Sequence, residues 1–210
     1  MKNKIKAVIF DMDGVLIDAK EWHFHALNRS LKLFGMQIDY QQHLMRFDGL
    51  PTREKLAILN KEKNLPVKIF DFIEQLKQKY TLEIVETHCY PKFQHEYLLS
   101  RLSCEGYKLA VASNSVRRTV QTMLSKANII RYFDFILSNQ DVQRSKPFPD
   151  IYVKAIEKLK LSPDECLIVE DNENGIRAAE ASGAHLLIVN NIQEVNYLNV
   201  VDKISYLEGR

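Results

Sequence analysis

Several short stretches of the chain consist almost entirely of apolar residues, and they indicate buried β-strands. A strand exposed on one face alternates apolar and polar residues, whereas a strand covered on both faces is apolar throughout. The stretches in this chain are continuous, so we expect strands inside a sheet that is covered on both sides. We predict strands at residues 7–10, 109–112, 133–137, 166–169 and 186–189.

Helical patterns separate the later apolar stretches. Their apolar residues recur at helical spacing, as Ile151, Ala155 and Leu159 do. Alternation of strands and helices predicts an α/β fold, a doubly wound parallel sheet with helices on both faces. We predict the helices at residues 116–127, 149–159 and 173–182.

The stretch after the first strand breaks this alternation. It contains helical patterns with no convincing strand between them, at residues 21–34, 52–60 and 67–80. We therefore predict a small helical cap domain at residues 19–87, inserted into a core domain formed by residues 1–18 and 88–210. The two hinges are expected near residues 18–20 and 87–92, where Pro91 interrupts the chain.

Composition narrows the classes of protein to which the chain can belong. Its 210 residues are 46% hydrophobic and 27% charged, with a net charge of +2, as in a globular protein. Near-balanced charge gives no reason to expect nucleic acid or a membrane surface as partner. Because no apolar run approaches the ~18 residues of a membrane span, we expect a cytoplasmic location. No two of the three cysteines have the spacing of a redox motif or of metal ligands, so we expect them to be reduced: Cys89, Cys104 and Cys166.

Polar residues follow the predicted strands where ligands bind in an open parallel sheet, at the carboxyl ends. The sequence supplies acids, a hydroxyl, an amide and a lysine there: Asp11 and Asp13, Ser113 and Asn114, Lys146, Glu170 and Asp171. Crowded carboxylates repel one another, and magnesium, which prefers oxygen ligands, would remove that penalty. An aspartate carboxylate can attack phosphorus and form an aspartyl phosphate.

These strand-end motifs, in this order and spacing, resemble those of the haloacid dehalogenase superfamily. They read DMDGV from Asp11, VASNS from Val111, SKPFPD from Ser145 and VED from Val169. The nearest branch contains beta-phosphoglucomutase and small sugar-phosphate phosphatases. The resemblance covers nearly the whole chain and implies a Rossmann-like core with an inserted cap.

The resemblance also implies a role for each matching residue. Asp11 is expected to be the nucleophile, and Asp13 the general acid and then the base that activates water. Ser113 and Asn114 are expected to hold the transferring phosphoryl group, and Lys146 to stabilise its charge. The implied Mg²⁺ ligands are Asp11, Asp171, the backbone carbonyl of Asp13, and Glu170 either directly or through water.

Two cap residues are candidates for substrate binding. His23 lies near the first hinge, where members of this branch also carry a histidine, although a structural histidine explains it nearly as well. Arg53 lies on a loop that resembles the one facing the active site, and it could pair with a second anionic group. The alternative is a solvated arginine in a helix that Thr52 caps.

These expectations together predict a magnesium-dependent phosphatase acting on a small sugar, polyol or similar phosphate, as a monomer or weak homodimer. One alternative is a phosphoglucomutase-type isomerase, which uses the same aspartyl phosphate. A second is a receiver module phosphorylated on aspartate, but receivers have no helical domain after the first strand.

Overall fold

The computed structural model describes residues 4–209, and each of the predicted strands is present in it. The strands are β1 (Ala7–Phe10), β2 (Lys108–Ala112), β3 (Phe135–Leu137), β4 (Cys166–Glu170) and β5 (His185–Ile188). Strand β3 begins later than predicted because residues Ile130–Tyr132 form a 3₁₀ turn, which Phe133 closes by donating its N–H to the carbonyl of Ile130.

Each predicted helix is present, although the helix predicted at residues 67–80 begins at Phe70 and continues to His88, and there are additions. They are α1 (Lys20–Lys32), α2 (Tyr40–Gln42), α3 (Thr52–Lys63), α4 (Phe70–His88), α5 (Phe93–Cys104), α6 (Arg117–Lys126), α7 (Asp150–Leu159), α8 (Glu173–Ala181) and α9 (Tyr197–Glu208). A π-helical turn, His43–Phe47, follows α2. The sequence pattern missed α2, α5 and α9, of which α5 and α9 bury only a few residues on one face.

The strands form one parallel sheet in the order β3-β2-β1-β4-β5. Phe10 of β1 pairs with Val111 on one side and with Val169 on the other, so the ends of the three strands lie at one edge. The winding changes direction between β1 and β4, and ligands of doubly wound sheets bind at such a switch point. The residues that follow β1 and β4 therefore occupy the position where a ligand is expected.

Side chains of each strand alternate between the two faces of the sheet, and each face carries its own hydrophobic cluster. Val8 and Phe10 contribute to the cluster that buries residues of α5, α6 and α9. Ala7 and Ile9 contribute to the cluster that buries residues of α7 and α8. Burial on both faces is the physical reason why these strands read as continuous apolar runs.

Helices of the inserted segment bury a separate hydrophobic cluster. Leu27 and Leu31 of α1 pack there with Leu56 and Leu59 of α3 and with Phe47 of the π turn. A cluster of its own is what an inserted domain requires, and it supports the proposed division into a core and a cap at residues 19–87. Within residues 4–209, no helix is long and apolar enough to cross a membrane.

We predict that Leu59→Ala lowers the free energy of unfolding by about 2–5 kcal/mol, because it opens a cavity in the cluster of the inserted helices. Leu59 is fully buried. Urea denaturation followed by far-UV circular dichroism measures the change. The control is Leu33→Ala at an exposed position, for which we expect a change within about 0.5 kcal/mol. Equal effects of the two substitutions would show that the inserted helices lack a packed interior.

Candidate active site

Lys146 lies at the centre of the sheet edge and forms hydrogen bonds with residues of β4 and α7 and with the residue that follows β1. Its Nζ donates to Asp11 Oδ1 and to Glu170 Oε1, both at 2.6 Å, and to the Tyr152 hydroxyl at 2.8 Å. The Tyr152 hydroxyl in turn donates to Glu170 Oε1 at 2.6 Å. Lys146 and Glu170 are almost fully buried. Buried charges persist only when they are paired and hydrogen-bonded, as these are.

Asp11 occupies the end of β1 with its carboxylate among other acids. Burial raises its pKa well above the ordinary value, against the attraction of Lys146, and the charges of Glu170, Asp171 and Asp13 raise it further. For Lys146, burial acts to lower the pKa, but Asp11 and Glu170 outweigh it, so the pKa is raised. The lysine therefore stays charged beside Asp11.

Three carboxylates at this edge fit a divalent cation. Asp11, Glu170 and Asp171 each offer an oxygen atom, and these atoms lie within 4.8 Å of one another. Asp171 Oδ1 is buried and has no hydrogen-bond partner among residues 4–209, and burial raises the pKa of Asp171 to about 6. Lys20 Nζ lies 2.6 Å from Asp171 Oδ2. Such an all-oxygen, acid-rich set is the donor set of hard cations such as Mg²⁺, Ca²⁺ and Mn²⁺.

Glycines let the backbone approach these acids closely. A Cβ atom on Gly14 would lie 2.1 Å from Asp171 Oδ2, and one on Gly175 would lie 1.8 Å from Glu170 Oε1. Gly14 also has a φ of +92°, which side chains other than glycine rarely adopt. The turn after β1 and the start of α8 thus depend on glycine for the positions of the two acids.

Asp13 is held by a hydrogen-bonded chain that starts in the inserted helices. Lys77 Nζ lies 2.9 Å from His23 Nδ1, His23 Nε2 lies 3.0 Å from Asp13 Oδ1, and Ser115 Oγ donates to Asp13 Oδ2 at 2.7 Å. Burial lowers the pKa of Lys77 to about 7. When Lys77 is protonated it can only donate, so Nδ1 accepts and Nε2 carries the proton that faces Asp13. Burial alone would raise the pKa of Asp13, but His23 and Ser115 lower it below its ordinary value.

Ser113 and Asn114 follow β2 and line the same edge. Ser113 is fully buried, and its Oγ accepts the N–H of Ser115 at 3.0 Å, which leaves its own O–H available as a donor. Asn114 Nδ2 donates to the carbonyls of Gly49 at 2.9 Å and Lys146 at 3.3 Å. Asn114 Oδ1 accepts the N–H of Lys146 at 3.1 Å. Asn114 therefore links two loops of the edge to the loop before α3.

The loop before α3 lies directly against the sheet edge. Asn172 Nδ2 donates to Asp48 Oδ2 at 3.0 Å, and Lys20 Nζ lies 3.8 Å from the same oxygen. A Cβ atom on Gly49 would lie 2.4 Å from Asn172 Oδ1. These contacts place the inserted helices over the edge in a closed arrangement.

A cavity of about 930 Å³ remains between the inserted helices and the sheet edge. Asp11, Asp13 and Lys146 line it from the sheet side, and Lys55 and Lys77 line it from the helical side. The sequence analysis did not identify Lys55, Lys77 or Tyr152. A signal existed for Lys55, because it shares the buried face of α3 with Leu56 and Leu59, where helical periodicity predicts an apolar residue.

Arg53 also lines the cavity, but acids already pair with it. Its guanidinium donates to Asp71 at 2.7 Å and to Glu74 at 2.8 Å, and 59% of its side chain is exposed. The acidic neighbours raise the pKa of Arg53 further above its usual value. Its predicted contact with substrate stays a prediction.

The chain matches known proteins over most of its length. The family model of haloacid dehalogenase-like hydrolases matches residues 8–189. The chain is 29% identical to the phosphorylated carbohydrates phosphatase of Thermotoga maritima, covering 85% of this chain and 82% of that protein. It is 32% identical to the phosphoglycolate phosphatase of Aquifex aeolicus, with the same shares of the two chains covered.

A solved structure shows the same fold. The beta-phosphoglucomutase of Clostridium difficile superposes with a TM-score of 0.85, covering 98% of this chain and 100% of that one at 22% identity. This likeness confirms the predicted parallel sheet flanked by helices.

We predict that Tyr152→Phe lowers the free energy of unfolding by about 1–3 kcal/mol, because the buried Glu170 carboxylate loses a donor. Thermal or urea denaturation measures the change. The control is Tyr206→Phe on α9, where the ring is exposed and we expect a change within about 0.5 kcal/mol. An unchanged stability of Tyr152→Phe would mean that the hydroxyl contributes nothing to holding Glu170 and Lys146 together.

Proposed function

Since this chain belongs to the haloacid dehalogenase-like hydrolases, we propose that it is a magnesium-dependent phosphatase that hydrolyses a small phosphorylated metabolite through an aspartyl phosphate. The observation that carries the proposal is the arrangement around Asp11. Its buried carboxylate contacts Lys146 at 2.6 Å and shares the edge with two further acids that suit a divalent cation. Curated relatives named as phosphatases of small phosphorylated compounds support this substrate class.

The first half of the reaction transfers the phosphoryl group to Asp11. An oxygen of Asp11 attacks phosphorus, the bond from phosphorus to the substrate oxygen breaks, and Asp13 gives its proton to that oxygen. His23 and Ser115 favour the carboxylate form of Asp13 in the free protein, so Asp13 must take up a proton when the substrate binds, as the negative charge of a nearby phosphate group favours. Lys146 keeps its positive charge beside Asp11 and the incoming phosphate.

The second half releases phosphate. Asp13, now a carboxylate, takes a proton from a water molecule whose oxygen attacks the phosphorus of the aspartyl phosphate. The bond between Asp11 and phosphorus breaks, and both aspartates return to their initial states. Closer approach of the inserted helices on substrate binding would limit the access of bulk water, so that the water that reacts is one that Asp13 orients.

Residues of the sheet edge bind the phosphoryl group and the metal. Ser113 has a free O–H to donate to a phosphate oxygen, and Asn114 can do so after releasing the carbonyl of Gly49 or Lys146. Asp11, Asp171 and Glu170, with the backbone carbonyl of Asp13, are the groups that would hold Mg²⁺. The ion supplies positive charge that offsets the repulsion between the acids and the phosphate.

A phosphomutase is the second candidate, because it shares every step up to the aspartyl phosphate. It differs in returning the phosphoryl group to a second bound substrate oxygen instead of to water. Family membership removes the support for a receiver module.

We predict that Asp11→Asn lowers kcat by at least ~10³-fold, because it removes the nucleophilic carboxylate and with it the covalent step. Phosphate release from a panel of small phosphate esters measures the activity. The control is Asp202→Asn on the exposed face of α9, which we expect to retain full activity. Near-normal turnover of Asp11→Asn would refute the mechanism, and rearrangement of a sugar phosphate without phosphate release would favour the mutase.

We predict that chelation with EDTA abolishes activity and that Mg²⁺ restores it. Ca²⁺ should inhibit the restored enzyme, because calcium prefers more ligands at longer distances and would engage both oxygens of Asp11. Asp171→Ala should raise the Mg²⁺ concentration needed for half-maximal activity. The same phosphate-release assay, titrated with each ion, measures these effects. Full activity after exhaustive chelation would contradict the metal requirement.

A further inference from the structure

Lys55 is a buried lysine in the wall of the active-site cavity. The residue is 5% exposed, and its Nζ forms no hydrogen bond or ion pair with any residue between 4 and 209. Lysine is almost never fully buried unless it is paired. Because Lys55 also lines the cavity, an anionic group of a bound molecule could pair with its ammonium group.

The acids whose charges act on Lys55 form hydrogen bonds with other residues. Asp48 and Asp13 are the acids whose charges act on its pKa. Asp13 is bonded to His23 and Ser115, and Asp48 accepts from Asn172. Burial lowers the pKa of Lys55 to about 8, a value at which the ammonium form still predominates at neutral pH.

The charge of Lys55 acts on the pKa of His43, but this histidine is not a partner for the lysine. Both of its ring nitrogens are buried without a hydrogen-bond partner in the described part of the chain, and burial lowers its pKa to about 4. It is therefore a neutral ring, packed against Phe24 and Tyr40.

We propose that Lys55 binds a second anionic group of the substrate, a carboxylate or a second phosphate, at the end remote from the phosphoryl group that Asp11 attacks. The proposal rests on the proposed phosphatase function and names the substrate class: a short phosphate ester with a second negative charge. Asp11 and Lys55 line the same cavity, as binding of one molecule to both requires. Lys55 is thus a specificity-determining residue, in a role that the sequence analysis assigned to Arg53.

Matched substrates test this inference. Phosphoglycolate and 2-hydroxyethyl phosphate differ in one end group, a carboxylate against an alcohol, and 1,3-propanediol bisphosphate and its monophosphate differ in a second phosphate. We expect the wild type to prefer the doubly anionic member of at least one pair by about 10-fold to 100-fold in kcat/KM. The pair that shows the preference identifies the anion as carboxylate or phosphate.

Lys55→Met removes the charge and keeps the length of the side chain, and an apolar residue at a buried position is expected to fold normally. It should abolish the preference by lowering kcat/KM for the substrate with a second anionic group, while kcat/KM for the matched monophosphate that lacks this group changes less than about 3-fold. The control is Lys79→Met, an exposed lysine of α4 that lines the same cavity, for which the preference should persist.

Binding of unreactive analogues provides a readout that does not depend on turnover. The dissociation constants of 3-phosphonopropionate and 3-hydroxypropylphosphonate, measured by calorimetry, should differ about 10-fold for the wild type and little for Lys55→Met if the anion is a carboxylate. 1,3-Propanediyl bisphosphonate replaces the first compound for the phosphate case.

Each outcome separates this inference from the proposed function. The role of Lys55 would be overturned if Lys55→Met lowered kcat/KM by the same factor for both members of a pair. It would also be overturned if the wild type showed no preference in turnover or in binding. Neither result would affect phosphate release that depends on Asp11. Phosphate release that survives in Asp11→Asn would overturn the proposed function instead.

Discussion

The buried ammonium group of Lys146 is the contact on which the rest of the site depends. It reaches Asp11, Glu170 and the Tyr152 hydroxyl within 2.8 Å, and so it ties β1, β4 and α7 together at the switch point of the sheet. Without it, carboxylates within 4.8 Å of one another would repel in a region of low dielectric constant. Lys146, together with Lys20 beside Asp171, thus lets the chain assemble a set of acids before any metal ion binds.

Charge is distributed unequally across the cavity, and this division gives the two sides different tasks. The sheet edge provides Asp11, Asp13 and Glu170, which suit a metal ion and a nucleophile, whereas the inserted segment provides Lys55 and Lys77 together with acids of its own. The two sides meet through polar contacts, of Asn114 with Gly49 and of Asn172 with Asp48. Contacts of this kind can break and re-form at small cost in free energy, as exchange of substrate and product requires.

Much of the catalytic edge was predictable because its residues follow strands directly. Asp11, Ser113 and Asp171 come within one residue of a strand end, and parallel strands bring their carboxyl ends together wherever the rest of the chain lies. Lys146 is farther from its strand, across a short loop, and the family motif implied its role. Tyr152 escaped prediction because it reads as an ordinary apolar position of α7, and its hydroxyl acquires a function only beside Glu170.

The sequence by itself determined the strands, their parallel arrangement and the acids at their ends, because these follow from local apolar runs and short motifs. Only the tertiary structure decided which cations of the inserted helices face the cavity. Arg53 and Lys55 are two residues apart on α3, yet Arg53 is exposed and paired with Asp71 and Glu74, and Lys55 is buried and unpaired within the described residues. The rotation of α3 against α4 and the sheet edge separates them, and that rotation depends on packing between residues that are distant in the sequence.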